Sequence, residues 1–481
     1  MQNARAPQHF WRTSLIYFLG NFLSKLALFF MLPLYTARIP VADMGIYDAT
    51  TAIAVLVSSL VFLDVGVGVM RFYLECRNGE EKLAVLRCGL FLLVILSALY
   101  LLLGGILSAV FAPAYAPLVV LYGLCNALFL ACGMIVRARG YTAWYAATGV
   151  ISTLLQIVCN LVLILCFGRG FDALYISYAV GAGVGVILLL SRCSVQELLR
   201  CGSLDFSVLR RLVRFCLPLG VGSTAYWVLT SLGRVLVTLL VGESAGGVFA
   251  VSLKFAQIIV FASLCFRLAW QEIAFVKGYH GDAGIGEQGG YYSEKTDLFV
   301  RVTLVVCLLC VPAARVGLWL FSGFIADSYG EARLLIPIAL VGAALTVLCD
   351  FLEPMFGAAK RTGVLLASTA SGAALNVVLT VLFIHGGGGA YGAHLAFCVA
   401  ALATALLRVM LLRHIVGLYL RSFYLVAFPL VAAVVVAYHY LSPVWNIGVL
   451  LVAVLFACLL LPELRLLIKR LLSFLPNKNE K

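Results

Sequence analysis

Three basic residues lie inside long apolar stretches, where a cation is energetically expensive. Lys25 lies in "GNFLSKLALFF", Arg234 in "SLGRVLVTLL" and Lys254 in "AVSLKFAQII", with no carboxylate close by in any of these stretches. A charge at the centre of a bilayer costs about 3 kcal/mol on insertion scales, and such residues face protein or a water-filled cavity. The three cations therefore predict an anion-binding cavity.

Polar residues spaced three or four apart accompany each cation on its own helix. They are Asn21 and Ser24 beside Lys25, Thr230 and Ser231 beside Arg234, and Gln257 beside Lys254. Because lipid cannot hydrogen-bond to such a stripe, we expect it to line the cavity. The alternative is that the long basic side chains snorkel to the membrane interface. Lys25, near the middle of its span, is the least able to do so.

Two further charged residues are weaker candidates for the cavity. Arg267 follows Lys254 by thirteen residues, about 220° around the helix axis, so it faces away from Lys254. Asp64 lies late in the second apolar stretch, in "FLDVGVGVMRF". We expect Asp64 to cap that helix or to pair with Arg71 near the cytoplasmic end.

A pair of carboxylates closes the tenth apolar stretch. Asp350 and Glu353 are almost one helical turn apart and precede Lys360 and Arg361. Salt bridges at the cytoplasmic rim are the plainer interpretation of this arrangement. Proton coupling by the two acids is the alternative.

Composition places these residues in a membrane protein. Of 481 residues, 63% are hydrophobic and 11% are charged, with a mean hydropathy of +1.08. Soluble domains contain about 25% charged residues. The apolar blocks have the length of about 20 residues that a spanning helix needs, whereas a membrane barrel would show alternating segments of about 10 residues. An all-α integral membrane protein is predicted, and the net charge of +13 is attributed to cytoplasmic loops rather than to nucleic-acid binding.

Fourteen apolar stretches are separated by charged or turn-forming residues. They cover residues 13–34, 46–70, 84–111, 115–136, 143–167, 172–190, 215–240, 246–270, 298–320, 334–356, 363–384, 390–411, 422–441 and 444–461. With a cytoplasmic N-terminus, most of the 34 Lys and Arg residues fall in alternate, cytoplasmic loops, and Arg408 to Arg421 are assigned to one of these loops. The pattern predicts fourteen helices with both termini in the cytoplasm.

The two halves of the chain contain related stretches. "GVISTLLQIVCNLVLIL" at 149–165 resembles "LLASTASGAALNVVLTVLF" at 365–383. Ser152, Thr153 and Asn160 align with Ser368, Thr369 and Asn376. The duplication predicts two pseudo-symmetric six-helix lobes, 1–190 and 215–411, joined by a basic cytoplasmic linker, 191–214. Residues 412–481 then hold helices 13 and 14 and a basic cytoplasmic tail. Such repeated bundles are a transporter architecture.

The sequence has no motif for nucleotide binding, nucleophilic catalysis or metal binding. Its longest polar interruptions, 191–214 and 277–297, are too short for a soluble catalytic domain. His385 and His394 flank a run of four glycines in a predicted outer loop, where we expect both to be solvated. A transporter without a cofactor is predicted rather than an enzyme. The coupling ion, H⁺ or Na⁺ if one is used, stays open.

Three stretches resemble the polysaccharide-transporter family, which includes the Wzx-type O-antigen flippases of the multidrug, oligosaccharidyl-lipid and polysaccharide (MOP) exporter superfamily. They are "GNFLSKLALFFMLPLYTARIPVADMGIYD" from residue 20, "LDVGVGVMRF" from residue 63, and "LVRFCLPLGVGSTAYWVLTSLGRVLVTLLVGESAGGVFAVSLKFAQII" from residue 212. The resemblance covers nearly the whole chain and is clearest in these stretches. It departs from the family at Gly233, where an acidic residue often precedes the arginine.

The resemblance implies a V-shaped, two-lobed transporter that works by alternating access. Its expected substrate is an undecaprenyl-diphosphate-linked oligosaccharide of an O-antigen, a capsule or an exopolysaccharide. The expected location is the bacterial cytoplasmic membrane, where membrane lipids and the polysaccharide polymerase or export machinery are the implied partners. Related flippases line a cationic cavity with helices 1, 2, 7 and 8, which would place Lys25, Arg234 and Lys254 on the substrate's diphosphate.

Three other functions compete with this interpretation. The first is a lipid II flippase, which sequence alone distinguishes poorly from an oligosaccharide flippase. A drug or cation antiporter of the same superfamily would need a carboxylate in the first lobe, and the first span has none. A membrane glycosyltransferase or polymerase would need paired carboxylates or a sizeable outer loop, which the sequence lacks.

Overall fold

A computed structural model describes residues 26–111, 115–193, 204–279, 285–359, 361–419 and 424–460. These ranges are built from helices and contain no strand. The first helices are α1 (Leu32–Arg38), α2 (Val41–Phe62), α3 (Val65–Glu75), α4 (Gly79–Phe111), α5 (Ala116–Ala138), α6 (Thr142–Leu161) and α7 (Asp172–Leu190). The later ones are α8 (Phe206–Leu240), α9 (Glu243–Tyr279), α10 (Ile285–Leu320), α11 (Ala332–Ala358), α12 (Thr362–Phe383), α13 (Gly389–Val416), α14 (Tyr424–Tyr440) and α15 (Pro443–Leu460).

The predicted all-α membrane architecture is confirmed. Within the described ranges, 10 helical segments are long and apolar enough to cross a membrane, and one of them, Thr362–Val416, contains two predicted spans. Shorter apolar helices at Leu26–Arg38, Pro429–Tyr440 and Pro443–Leu459 correspond to the first and the last two predicted spans. The chain is thus a multi-pass membrane protein.

The second predicted span is not one continuous helix. It divides into α2 and α3 at Leu63 and Asp64, which have left-handed backbones with φ values of 48° and 52°. Gly220 of α8 makes room for this break, since a Cβ there would lie 2.8 Å from the Cα of Leu63. Left-handed conformations are costly for residues with a side chain, so this break is held by its packing against α8.

Helix α8 begins before the predicted seventh span, within the predicted linker. Asp205 caps it by accepting hydrogen bonds from the backbone amides of Ser207, at 2.8 Å, and Val208, at 3.3 Å. Bonds from the Ser207 hydroxyl and from these amides lower the pKa of Asp205. The cap satisfies amides that an α-helix leaves without intrahelical acceptors.

The chain divides into two compact units, Met1–Ala250 and Val251–Lys481. In the first unit, α8 runs antiparallel to α2 and α3, so that Gly68 approaches Cys216 while Asp48 approaches Arg234. In the second unit, Trp270 and Phe299 stack on either side of Phe351 of α11. The lobe boundaries drawn from the duplication stay a prediction.

The duplicated stretches form similar helix pairs. Helix α6 continues into a π-helical segment, Val162–Cys166, before α7, and α12 continues into another, Ile384–Gly388, before α13. Asn160 of the first pair bonds the hydroxyl of Ser177 on α7 at 2.8 Å and that of Tyr35 on α1 at 2.9 Å. The second segment differs from the first, because Gly387 within it has a left-handed φ of 85° and marks a kink between two helices.

Candidate anion site in the first unit

An ion pair joins α2 to α8 inside the first unit. Nη1 of Arg234 lies 3.4 Å from Oδ1 of Asp48. The Asp48 side chain is 6% exposed and that of Arg234 is 22% exposed, so the arginine is the more accessible partner. The second carboxylate oxygen of Asp48 and the Nε of Arg234 are buried, and neither has a hydrogen-bond partner in the described residues. The pair therefore keeps bonding capacity on both sides.

Close packing positions this pair. Ala52 of α2 contacts Trp227 and Val235 of α8 in a small apolar cluster next to the two charges. On the other side, α2 touches the first turn of α9 through Gly45, where a Cβ would lie 2.0 Å from the carbonyl oxygen of Glu243. Backbones this close leave Asp48 little freedom to shift with its helix.

Tyr122 and Tyr175 lie near the buried carboxylate of Asp48. Tyr122 of α5 interacts electrostatically with both Asp48 and Arg234, and Tyr175 of α7 interacts with Asp48. Tyr47 packs edge to face on Tyr175, with ring centroids 4.8 Å apart. The hydroxyl of Tyr175 is fixed by a 2.6 Å hydrogen bond with Thr50. The pair thus lies among polar hydroxyls and aromatic rings rather than in hydrocarbon.

The predicted cavity residues fall into three groups. Lys25, Asn21 and Ser24 lie outside the described residues. Thr230 and Ser231 lie in the first unit near Arg234, and the Thr230 hydroxyl donates to the carbonyl of Tyr226 at 2.9 Å. Lys254 and Gln257 are half-buried on α9 in the second unit. Their membership of one cavity stays a prediction.

Arg234 has a carboxylate partner that lies outside its own stretch of sequence. Gly233 removes the adjacent acid that the family resemblance anticipates, but Asp48, 186 residues earlier, supplies a carboxylate across the α2–α8 contact. The sequence did contain a signal: Asp48 is an acid within a predicted membrane span, and such residues are functional candidates by default.

The expectation that Asp64 caps its helix or pairs with Arg71 is wrong. Its carboxylate accepts a hydrogen bond from the hydroxyl of Ser223 on α8 and makes no capping bond to α3. Arg71 instead pairs with Glu75 at 3.1 Å and lies over the ring of Phe215. The left-handed turn at Asp64 aims its side chain at α8, which no helical spacing reveals.

In the second unit, Asp350 has a partner that was not predicted. Nη1 of Arg267 lies 3.3 Å from Oδ2 of Asp350, across the α9–α11 contact. The expected bridge to Arg361 does not form, since that residue makes no ion pair in the described part of the chain, while Lys360 lies outside it. Glu353 is half-buried one turn further along.

Two polar residues were assigned to loops incorrectly. Arg408, counted as a cytoplasmic-loop charge, is 2% exposed within α13. His394, expected to be solvated, is 1% exposed and bonds the Ser252 hydroxyl at 2.8 Å, whereas His385 is exposed as predicted. Helix α13 begins at Gly389, directly after the π-helical segment, and thereby takes His394 into the packed interior.

Chemically, the Arg234–Asp48 pair can exchange ligands. A guanidinium can form charge-assisted hydrogen bonds with a phosphate or carboxylate through its terminal nitrogens. Elsewhere in the described residues, no group of three or more His, Cys, Asp or Glu is placed to hold a metal ion. The site is therefore an anion-binding candidate of the first unit.

Comparison with solved structures defines the fold class. The chain is similar to the lipid II flippase MurJ in an inward closed conformation, with a TM-score of 0.70 at 14% identity, over 94% of this chain and 100% of that one. It is also similar to an inward-facing multidrug resistance MATE family transporter of the MOP superfamily, with a TM-score of 0.59 at 14% identity, over 86% and 98% of the two chains. A MATE in complex with MaD3S gives a TM-score of 0.55 at 15% identity, over 88% and 95%.

These similarities show that the chain has the fold of the MOP-superfamily flippases and transporters. The sequence itself matches no protein-family model and no curated protein. At 14% identity, the likeness concerns the fold and not the cargo.

Proposed function

We propose that the protein is a flippase that moves an undecaprenyl-diphosphate-linked oligosaccharide across the bacterial cytoplasmic membrane, with Arg234 binding the diphosphate. The observation that carries this proposal is an arginine inside a membrane unit that is 22% exposed and forms a single ion pair, 3.4 Å long, with Asp48. The fold of the MOP flippases supports a transporter rather than an enzyme.

The substrate's chemistry explains why such an arginine is needed. A diphosphate carries about two negative charges, and moving it into hydrocarbon without partners is prohibitively costly. A guanidinium offers paired donors in a plane that matches phosphate oxygens. Bound anion would also offset the cost of keeping Arg234 inside the membrane.

Further residues of the same site are proposed from sequence. Lys25 and Lys254 would add positive charge to the cavity, and Thr230 and Ser231 of α8 would donate hydroxyl bonds near Arg234. Arg267, which faces away from Lys254 on its helix, pairs with Asp350 and is not included. The polysaccharide polymerase and export machinery would receive the flipped product in the outer leaflet.

A drug or cation antiporter is the second candidate, and Asp48 favours it. The first span contains no carboxylate, which counts against an antiporter, but Asp48 is a buried carboxylate on α2. The tyrosines near Asp48 have rings that suit an organic cation. Lipid II, the cargo named for the structurally similar flippase, is a further diphosphate substrate that the same arginine would suit.

Binding to purified protein in lipid nanodiscs distinguishes these functions. Three probes are compared: an undecaprenyl-diphosphate-linked oligosaccharide, lipid II, and a lipophilic cation such as ethidium. We expect saturable binding of the undecaprenyl-diphosphate-linked oligosaccharide and no binding of the cation. Preference for lipid II would reassign the cargo, and saturable cation binding without diphosphate binding would overturn the proposal in favour of the antiporter.

A further inference from the structure

Three arginines of the first unit meet at its predicted cytoplasmic side, where α5 turns into α6 and α7 ends. Arg137 and Arg139 lie at the end of α5, and Arg192 lies two residues after the end of α7. Nη1 of Arg139 donates a 2.6 Å hydrogen bond to the carbonyl of Arg192, which joins the two chain segments directly. These residues, Arg137, Arg139 and Arg192, form the arginine cluster.

Aromatic rings accompany the guanidinium groups of the arginine cluster. Cζ of Arg192 lies 4.8 Å from the ring centroid of Trp144 and 5.8 Å from that of Tyr141, and Cζ of Arg139 is also 5.8 Å from Tyr141. Nε1 of Trp144 donates to the carbonyl of Leu188 on α7 at 2.8 Å, which fixes the ring. A ring face attracts a guanidinium without neutralising its charge. The arginines are thus positioned and remain cationic.

Two arginines of the cluster have no carboxylate partner within the described ranges. Arg137 and Arg192 form no ion pair there, whereas Arg71 of the same unit pairs with Glu75 at 3.1 Å. Arg137 lies over Tyr145, 5.6 Å from the ring centroid, and is half-buried, while Arg192 is exposed. A guanidinium presents five N–H donors, which match phosphate oxygens. The cluster therefore offers both charge and donors to an external anion.

An exposed apolar stripe on α6 begins beside this cluster. Its members are three or four residues apart and so share one face of the helix: Ala147, Ile151, Leu154, Val158 and Leu161. The stripe starts almost one turn after Trp144. On a membrane-spanning helix such a stripe faces acyl chains, and Trp and Tyr residues lie at the level of the lipid headgroups. The surface is thus cationic and aromatic at one end and apolar along its length.

We propose that the arginine cluster binds the phosphate headgroup of an anionic phospholipid, whose acyl chain lies along the α6 stripe. Cytoplasmic leaflets contain anionic lipids, and basic pockets between spanning helices on that side bind their headgroups. Arginine binds phosphate through charge-assisted hydrogen bonds. The stripe favours a lipid over free phosphate, because it adds apolar contact to the charge. This lipid site is separate from the anion site at Arg234 and does not depend on the proposed function.

Native mass spectrometry of the purified protein in detergent measures this binding. Dioleoyl phosphatidylglycerol is compared with dioleoyl phosphatidylcholine, which has the same chains and a zwitterionic headgroup. We expect wild type to bind phosphatidylglycerol at least about tenfold more tightly, since each basic residue contributes about fivefold at an anionic lipid. Inorganic phosphate at the same concentration should not displace the lipid. Equal affinity for the two lipids, or displacement by phosphate alone, overturns the proposal.

A pair of substitutions locates the binding. Arg137→Gln with Arg192→Gln should weaken phosphatidylglycerol binding about 25-fold and leave phosphatidylcholine binding unchanged. The matched control is Arg71→Gln with Arg413→Gln, which removes two exposed arginines outside the cluster. Its affinity should stay within about twofold of wild type, because salt screens exposed charges that are distant from the lipid. Wild-type affinity in folded R137Q/R192Q protein overturns the proposal.

Photocrosslinking tests the site on wild-type protein alone, in case the double variant does not fold. A phosphatidylglycerol with a photoactivatable group on its acyl chain is crosslinked to the protein, and the labelled peptides are identified. We expect label on α6, Thr142–Leu161, that unlabelled phosphatidylglycerol removes. Label elsewhere with none on α6 overturns the proposal. Removal of the α6 label by undecaprenyl diphosphate at concentrations where phosphatidylglycerol has no effect also overturns it, because the occupant is then the isoprenoid carrier.

Discussion

Arg408 of the second unit and Arg234 of the first unit lie in different environments. Arg408 in the second unit is 2% exposed, and each of its three nitrogens donates to a neutral acceptor: Nη1 to the carbonyl of Cys349 at 2.7 Å, Nη2 to Thr369 at 2.8 Å, and Nε to Ser368 at 3.3 Å. Arg234 in the first unit is 22% exposed, makes one long contact to a carboxylate and leaves its Nε unsatisfied.

The difference separates a structural cation from one available to a ligand. Arg408 joins α11, α12 and α13 with all its nitrogens used, so a ligand could bind it only by breaking those bonds. Arg234 forms a single ion pair, and its side chain is 22% exposed. Neither hydropathy nor position in a span distinguishes the two, but their hydrogen bonds do.

Replacing Arg408 by Leu should produce the largest effect in the molecule. The change strips three neighbouring acceptors of their donor, and we expect a loss of about 3–5 kcal/mol of stability, seen as poor recovery of folded protein and a lower midpoint in a thermal shift assay. Arg408→Lys, which keeps one charge and some donors, should recover part of the loss. A Leu variant as stable as wild type would contradict the structural role of Arg408.

Replacing Arg234 by Ala should weaken anion binding strongly and change stability little, unlike the replacement of Arg408. Hydrogen bonds to charged groups contribute about 1.5–3 kcal/mol, so the affinity for undecaprenyl diphosphate should fall about 10- to 100-fold while the thermal midpoint changes little by comparison with R408L. Binding by calorimetry in nanodiscs measures the first quantity. Unchanged affinity in a folded R234A protein would place the anion elsewhere.

Asp48→Asn should raise the affinity for diphosphate, whereas Arg234→Ala should lower it. Releasing Arg234 from a partly exposed ion pair worth about 1 kcal/mol should raise diphosphate affinity about fivefold at neutral pH. The same titration measures it, with Asp350→Asn as the matched control. A fall in affinity would mean that Asp48 organises Arg234 for the anion rather than competing with it.

Breaking the Arg267–Asp350 pair should have the smallest effect on stability and on diphosphate affinity. The Arg267 side chain is 39% exposed and screened by solvent, although that of Asp350 is 7% exposed, and we expect the pair to contribute about 1 kcal/mol. Arg267→Ala should therefore lower the thermal midpoint slightly and leave diphosphate affinity within about twofold of wild type. A tenfold loss of affinity would make the second unit part of the anion site.

Local patterns predict the helices well, because membrane spans are fixed by lengths of apolar sequence. They fail where a side chain's partner is distant in the chain. Arg234 was found from its position in a span, but Asp48 lies 186 residues away, and only the antiparallel packing of α2 on α8 joins them. The charge pattern misplaced Arg408, since positive-inside statistics concern residues near helix ends and α13 continues to Val416.

The break at Leu63 and Asp64 could not be predicted for a related reason. Neither residue favours a left-handed backbone strongly, and "FLDVGVG" reads as continuous helix. The turn is stabilised by the Ser223 bond to Asp64 and the space beside Gly220, both of which belong to α8. Tertiary contacts override local preference at this point, and they set where Asp64 points.

Transport in proteoliposomes tests the central claim most directly. A fluorescent undecaprenyl-diphosphate-linked oligosaccharide is incorporated into vesicles with wild-type, Arg234→Ala or Arg267→Ala protein, and its movement between leaflets is measured by quenching from outside. We expect movement with wild type and R267A, and a rate near that of protein-free vesicles with R234A. Movement at the wild-type rate by folded R234A protein would contradict it.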